Sequence, residues 1–101
     1  MSERKTCATV PHEQWLRERL RADGEFAREY LQAAIDDDDP RVLLFALRDL
    51  AEAQGMAQVA EAAGIPRESL YRALGPRGNP RFSTLTAIMK AIGMRLTVTA
   101  A

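Results

Sequence analysis

The sequence predicts an all-α fold: two N-terminal helices, a long central helix, two short helices around a glycine turn, a last helix and one C-terminal β-strand. Three observations lead there. Apolar residues recur three and four apart through most of the 101 residues, the spacing of helices with one buried face. Two short periodic segments flank Gly64 between Gly55 and Leu74. Polar and apolar residues alternate only in the tail, Met94 to Ala100.

Taken in order, His12 to Ala22 carries Trp15, Leu16 and Leu20 among charges, a short amphipathic helix. Asp23-Gly24 is a break. From Glu25 to Ile35, Phe26, Ala27, Tyr30, Leu31, Ala34 and Ile35 share one face. The run Asp36-Asp37-Asp38-Asp39 ends that helix, because acids oppose the dipole at a helix C-terminus. It lacks the alternating spacing and glycine of a calcium loop, so it reads as a solvated linker. Asp39 is placed to cap the third helix, with Pro40 at its first position.

That helix, Pro40 to Gln54, is apolar over most of its circumference and belongs in the middle of the domain. Arg41, Arg48, Asp49 and Glu52 form its polar strip. Phe45 falls within the strip and is expected under the N-terminal helices or, failing that, a second chain. Gly55 then separates it from a helix over Met56 to Ala63. After Gly64-Ile65-Pro66 a further helix runs from Arg67 to Leu74. Gly75 to Pro80 is a loop by composition. Ser83 is expected to cap a final helix, Thr84 to Ile92, closed by Gly93. The C-terminal strand needs a partner: Lys5–Val10, the same strand of a second copy, or another protein. Residues 1–39 read as an N-terminal helical extension packed on the core. Residues 40–101 read as the second part of the same structural unit.

Composition narrows the chemistry. Cys7 is alone and His12 is the only histidine, which removes internal disulfides and cysteine or multi-histidine metal clusters. Ser-His-Asp and Cys-His sites are not expected either, since His12 beside Pro11 reads as a solvated polar residue. No catalytic constellation, metal site or cofactor is expected, and the chain reads as a non-enzyme. No apolar stretch approaches the roughly 18 residues of a membrane span, and no signal peptide is visible, so a cytoplasmic location is expected. The net charge of zero hides a division: twelve acids and eight bases up to Gln54, two acids and six bases after it. A basic half is a hint of a nucleic-acid surface.

The stretch Gly55 to Leu74 fits a helix-turn-helix of the phage-repressor type, so residues 40–101 read as a helix-turn-helix DNA-binding domain with the C-terminal strand. Ala60 is small where two helices cross, Gly64 stands where a left-handed backbone is needed, and Ile65 and Leu70 hold the second helix to the first. The second helix then presents Arg67, Glu68, Ser69, Tyr71 and Arg72 to a major groove. Gln58 on the preceding helix is placed to reach a phosphate, and Arg77, Asn79 and Arg81 after the second helix to hold the backbone.

The chain resembles the addiction-module antidote family, small antitoxins with a Cro-like helix-turn-helix. The resemblance is carried by Glu25 to Ala34, by Ala46 to Met56, and most specifically by Arg67-Glu68-Ser69-Leu70-Tyr71-Arg72-Ala73-Leu74 followed by Gly78-Asn79-Pro80. It implies a bacterial antitoxin that represses its own operon as a homodimer on double-stranded DNA and neutralises a RelE/ParE-type toxin. It also puts Arg67, Ser69, Tyr71 and Arg72 at DNA-facing positions. Ala57 and Pro66 depart from the family's commoner polar residues, which bears on the operator contacts. Two other readings stand beside this one: a free-standing transcriptional regulator without a toxin, and a helical hairpin that binds only protein.

Overall fold

A computed structural model describes residues 10–101. Six α-helices follow one another among the described residues: α1 Val10–Ala22, α2 Gly24–Ile35, α3 Pro40–Gln54, α4 Met56–Ala63, α5 Arg67–Ala73 and α6 Phe82–Ala91.

The helix starts are set by carboxylates where the sequence supplies them. Asp39 caps α3, its Oδ1 accepting from the Arg41 N–H at 3.0 Å, with Pro40 in the first turn. Asp23, which reads as a simple break in the sequence, caps α2 in the same way by accepting from the Phe26 N–H at 3.1 Å. Each carboxyl is held below its ordinary value, Asp23 chiefly by the Phe26 N–H and Asp39 chiefly by the Arg41 side chain. A charged cap also complements the positive end of the helix dipole.

One apolar core includes residues of all six helices. Leu47, Leu50 and Ala51 of α3 are its centre, and α1, α2 and α4 all pack against that helix. Leu20 closes it from α1, with Ala27, Leu31 and Ala34 from α2. Val59, Ala60 and Met56 join it from α4, Leu70 from α5, and Ile88, Met89 and Ile92 from the α6 end. No polar residue is buried among the described residues, so the core demands no internal polar network.

Polar links sit at its margin. Tyr30 Oη donates to Asp49 Oδ2 at 2.6 Å, tying α2 to α3. The Gln54 carboxamide donates to the Ile92 carbonyl at 3.0 Å, satisfying an orphan acceptor at the end of α6. Glu52 receives Arg17 from α1 and Arg48 from its own helix, each at 3.2 Å.

Three expectations are corrected. The C-terminal strand is absent: no strand forms among the described residues, and 94–101 is irregular. The reason is pairing, since an isolated extended segment has no ladder to complete. Met94 packs on the core, its N–H bonding the Met89 carbonyl at 2.8 Å, but Val98 is 97% exposed. Of the suggested partner segment, residues 5–9 lie outside the described residues. Second, Ser83 does not cap the last helix. The helix begins at Phe82 with Arg81 in the capping position and no side-chain acceptor, while the Ser83 carbonyl accepts from Thr86 Oγ1. Third, the N-terminal helices leave Phe45 53% exposed, because the small side chains of α2 beside it do not reach over the ring.

The Tyr30 hydroxyl has a measurable consequence. Burial, the Asp49 hydrogen bond and the Asp49 charge make it a weaker acid, with a pKa above the ordinary 10.0. A raised value favours the folded state while the phenol is neutral, so that contribution is complete below pH ~10 and declines as pH rises further. Tyr30→Phe is expected to cost about 1 kcal/mol at neutral pH. It should also flatten the alkaline loss of stability, as read by denaturant melts from pH 7 to pH 11.

Candidate nucleic-acid interface

The turn between α4 and α5 is built by glycine. Gly64 takes φ 74°, ψ 29°, a left-handed conformation that costs other residues energy. Its N–H bonds the Glu61 carbonyl at 3.1 Å and the next N–H, of Ile65, bonds Ala60 at 3.0 Å. This paired closure satisfies the last carbonyls of α4 and folds Ile65 back against the core. Pro66 then occupies the capping position of α5, extended at φ −63°, ψ 151°. The helix therefore starts one residue after the proline.

Within α5, Leu70 is fully buried and Leu74 follows it into the core. That fixes the opposite side outward: Arg67, Glu68 and Arg72 are exposed, and Ser69 is half-buried at the edge. The Arg72 guanidinium stands 3.5 Å from Ser69 Oγ, at the outer limit of a hydrogen bond.

The loop after α5 returns across the end of that helix, and Gly78 permits it. A Cβ at Gly78 would stand 2.0 Å from the Ala73 carbonyl oxygen and 2.7 Å from its carbon, so only glycine lets the strands of backbone approach this closely. The Gly78 N–H closes the loop on the Gly75 carbonyl at 2.9 Å. As a result Ser69 and Arg72 of α5 line one shallow groove with Arg77 and Asn79 of the loop and Thr84 of α6. Residues from three segments converge on it.

The remaining predicted site residues lie elsewhere. Arg81 is exposed at the start of α6 and Glu68 is exposed on α5. Gln58 is turned back over the start of its own helix, where its Oε1 would stand 2.9 Å from a Cβ at Gly55. Tyr71 is half-buried and packs against the core, with two guanidiniums near its ring, Arg48 at 5.6 Å and Arg67 at 5.8 Å from the centroid. Its ring thus braces arginines as well as facing solvent, a cation–π arrangement.

Arg48 and Thr84 are additions the sequence reading missed. Arg48 belongs to the polar strip of α3, and only the packing of α3 near α5 brings it to Tyr71. Glu52 anchors it from behind. Thr84 reads as a plain first-turn residue. No local signal marks either.

Charge completes the picture. Arg67, Arg72, Arg77 and Arg81 form no ion pair among the described residues, whereas Arg17, Arg19, Arg28, Arg41 and Arg48 all do. Unpaired exposed guanidiniums are available to an external anion, and their planar forks suit phosphates and guanine edges. No described cluster of three or more His, Cys, Asp or Glu side chains is arranged to hold a metal. No described helix is long and apolar enough to cross a membrane.

Residues 16–100 match the family model described as "Probable addiction module antidote protein". The chain is also 44% identical over 69 residues to an uncharacterized protein of Haemophilus influenzae, an alignment that covers 68% of this chain and 71% of the relative. No solved structure matches the chain.

Gly78→Ala tests the construction of the groove. The added methyl collides with fixed backbone, and the expected loss is about 1–3 kcal/mol of stability. Thermal unfolding should show it, with Gly24→Ala as the reference, since nothing lies within 4 Å of a Cβ at Gly24.

Proposed function

The chain belongs to the family of addiction-module antidotes, proteins that counter a toxin, and on that premise we propose that it is a DNA-binding antitoxin that represses its own operon. The observation that carries the DNA-binding part is the groove in which Ser69, Arg72, Arg77 and Asn79 meet beside exposed arginines that form no ion pair among the described residues. In this reading α4, the Gly64 turn and α5 act as a helix-turn-helix of the phage-repressor type. Helix α5 enters the major groove, with Arg67, Ser69 and Arg72 toward base edges and Glu68 orienting a neighbouring arginine or accepting from cytosine. Arg77, Asn79 and Arg81 hold the phosphates of the adjoining backbone. The Tyr71 ring lies 5.8 Å from the Arg67 guanidinium and would help to hold it in place. Gln58, exposed and folded over Gly55, would reach a phosphate by swinging away from that glycine.

A homodimer would set two α5 helices about 34 Å apart on a palindromic operator, one turn of DNA. The protein would act in the cytoplasm, and its toxin is proposed to be of the RelE/ParE type. Binding energy would come largely from phosphate contacts, so affinity would fall steeply with salt.

Titration of labelled DNA from upstream of the protein's own gene tests the proposal, with unrelated DNA as competitor and at two salt concentrations. Arg72→Ala is expected to cost about 1–3 kcal/mol and to relax preference at one base position. Arg77→Ala should weaken binding to all sequences alike and lower the logarithmic salt slope by about 0.9. Binding indifferent to both substitutions would refute the assignment of this surface.

A further inference from the structure

A second surface lies between α2 and α3. Buried Ala34 and Ala46 lie among the lining of a depression shared by Tyr30, Val42, Phe45 and Asp37. Small residues beneath and aromatic or branched ones beside make a hole that accepts one large side chain. Phe45 stands 53% exposed at this hole, far outside the ordinary fate of a phenylalanine in a helix so rich in apolar residues. None of these residues belongs to the groove lined by Arg72 and Arg77.

The charge around the hole selects what fits it. Asp37 lines the depression and Asp36 and Asp38 flank it in the linker, all exposed and without a cation partner among the described residues. The Asp49 carboxylate lies one turn beyond Phe45 and accepts from Tyr30 Oη, while Glu29, one turn from Ala33, is shared with Arg28 at 3.9 Å. The two α3 cations either side of Phe45 are already matched, Arg41 by Asp39 at 3.0 Å and Arg48 by Glu52 at 3.2 Å. A second copy of this chain is disfavoured here, because a two-fold contact would set the same carboxylates against each other. A basic partner is favoured instead.

We propose that the α2–α3 groove is the docking site for the toxin, received as a basic amphipathic helix. One large apolar side chain of that helix enters between Phe45 and Val42, and its lysines or arginines face Asp36, Asp37 and Asp38. A groove between two helices with an aromatic wall is a common receiver of such a segment. The inference rests on the antitoxin reading and adds the surface and the chemistry of the partner.

The test is calorimetric binding of the full chain to the small basic protein encoded beside its gene. Phe45→Glu is compared with wild type, and the double substitution Asp37→Lys/Asp38→Lys serves as a second variant. Phe45, Asp37 and Asp38 are all exposed, and melting curves of both variants should stay near wild type, the one native bond lost being that from the Asp39 N–H to Asp37. Phe45→Glu should weaken binding about 30-fold or more, the loss of a central anchor. The double substitution should weaken it and reduce its salt dependence. Wild-type affinity in both variants would overturn the groove while leaving the antitoxin reading intact. Failure of the wild type to bind that protein would overturn the reading itself. A shift from dimer to monomer on Phe45→Glu would assign the face to a second copy and overturn the proposal.

Discussion

Everything in this structure hangs on the burial of one helix. Leu47, Leu50 and Ala51 of α3 are at most 1% exposed, and α1, α2 and α4 lie against it. Close packing of this kind tolerates little change in volume, so the positions of the surrounding helices are fixed together. Gly55 carries that constraint onward. A single residue, at φ 107°, ends α3 and begins α4, its N–H bonding Ala51 and its carbonyl receiving Val59. The direction of α4 is therefore set by α3, that of α5 by the Gly64 turn, and the loop by Gly78. A chain of three glycine-dependent steps leads from the core to the arginines.

The two faces that follow differ in charge for a structural reason. On the N-terminal side most arginines are consumed by local pairs, such as Arg28 with Glu25 at 2.7 Å and Arg41 with Asp39. The linker acids remain over. On the α5 side there are almost no acids to consume the arginines. Surface pairs of this sort add little stability, but they decide which charges are free to meet a partner. Zero net charge thus conceals two surfaces of opposite character, and Arg48 stands between them, held by Glu52 and reaching Tyr71.

Local rules made much of this legible. The bounds of α3 and α4 follow from Asp39-Pro40, Gly55 and Gly64, whose backbone roles are strict. The inward faces of α2 and α6 follow from periodicity, apart from Ile35, which lies at the edge of the stripe and is 37% exposed. The failures share another character. The tail alternates like a strand, yet alternation cannot supply a pairing partner. Ser83 is a good capping residue, but α6 starts earlier because Arg81 already has the extended backbone a cap requires. Phe45 was expected to be covered, and coverage depends on the size of side chains on another helix. In the candidate site, Ser69, Arg72, Arg77 and Asn79 could be read from the motif, whereas the arginines beside Tyr71 and the position of Gln58 over Gly55 required the folded helices.

Amide hydrogen exchange of the free protein and of the protein with DNA from upstream of its own gene tests the central claim most directly. The account predicts slowed exchange confined to the α4 start, residues 67–81 and the first turn of α6, with α2 and the α2–α3 linker unchanged. Slowed exchange along α2 and the linker, with residues 67–81 unaffected, would contradict it and place the nucleic acid on the wrong face of the molecule.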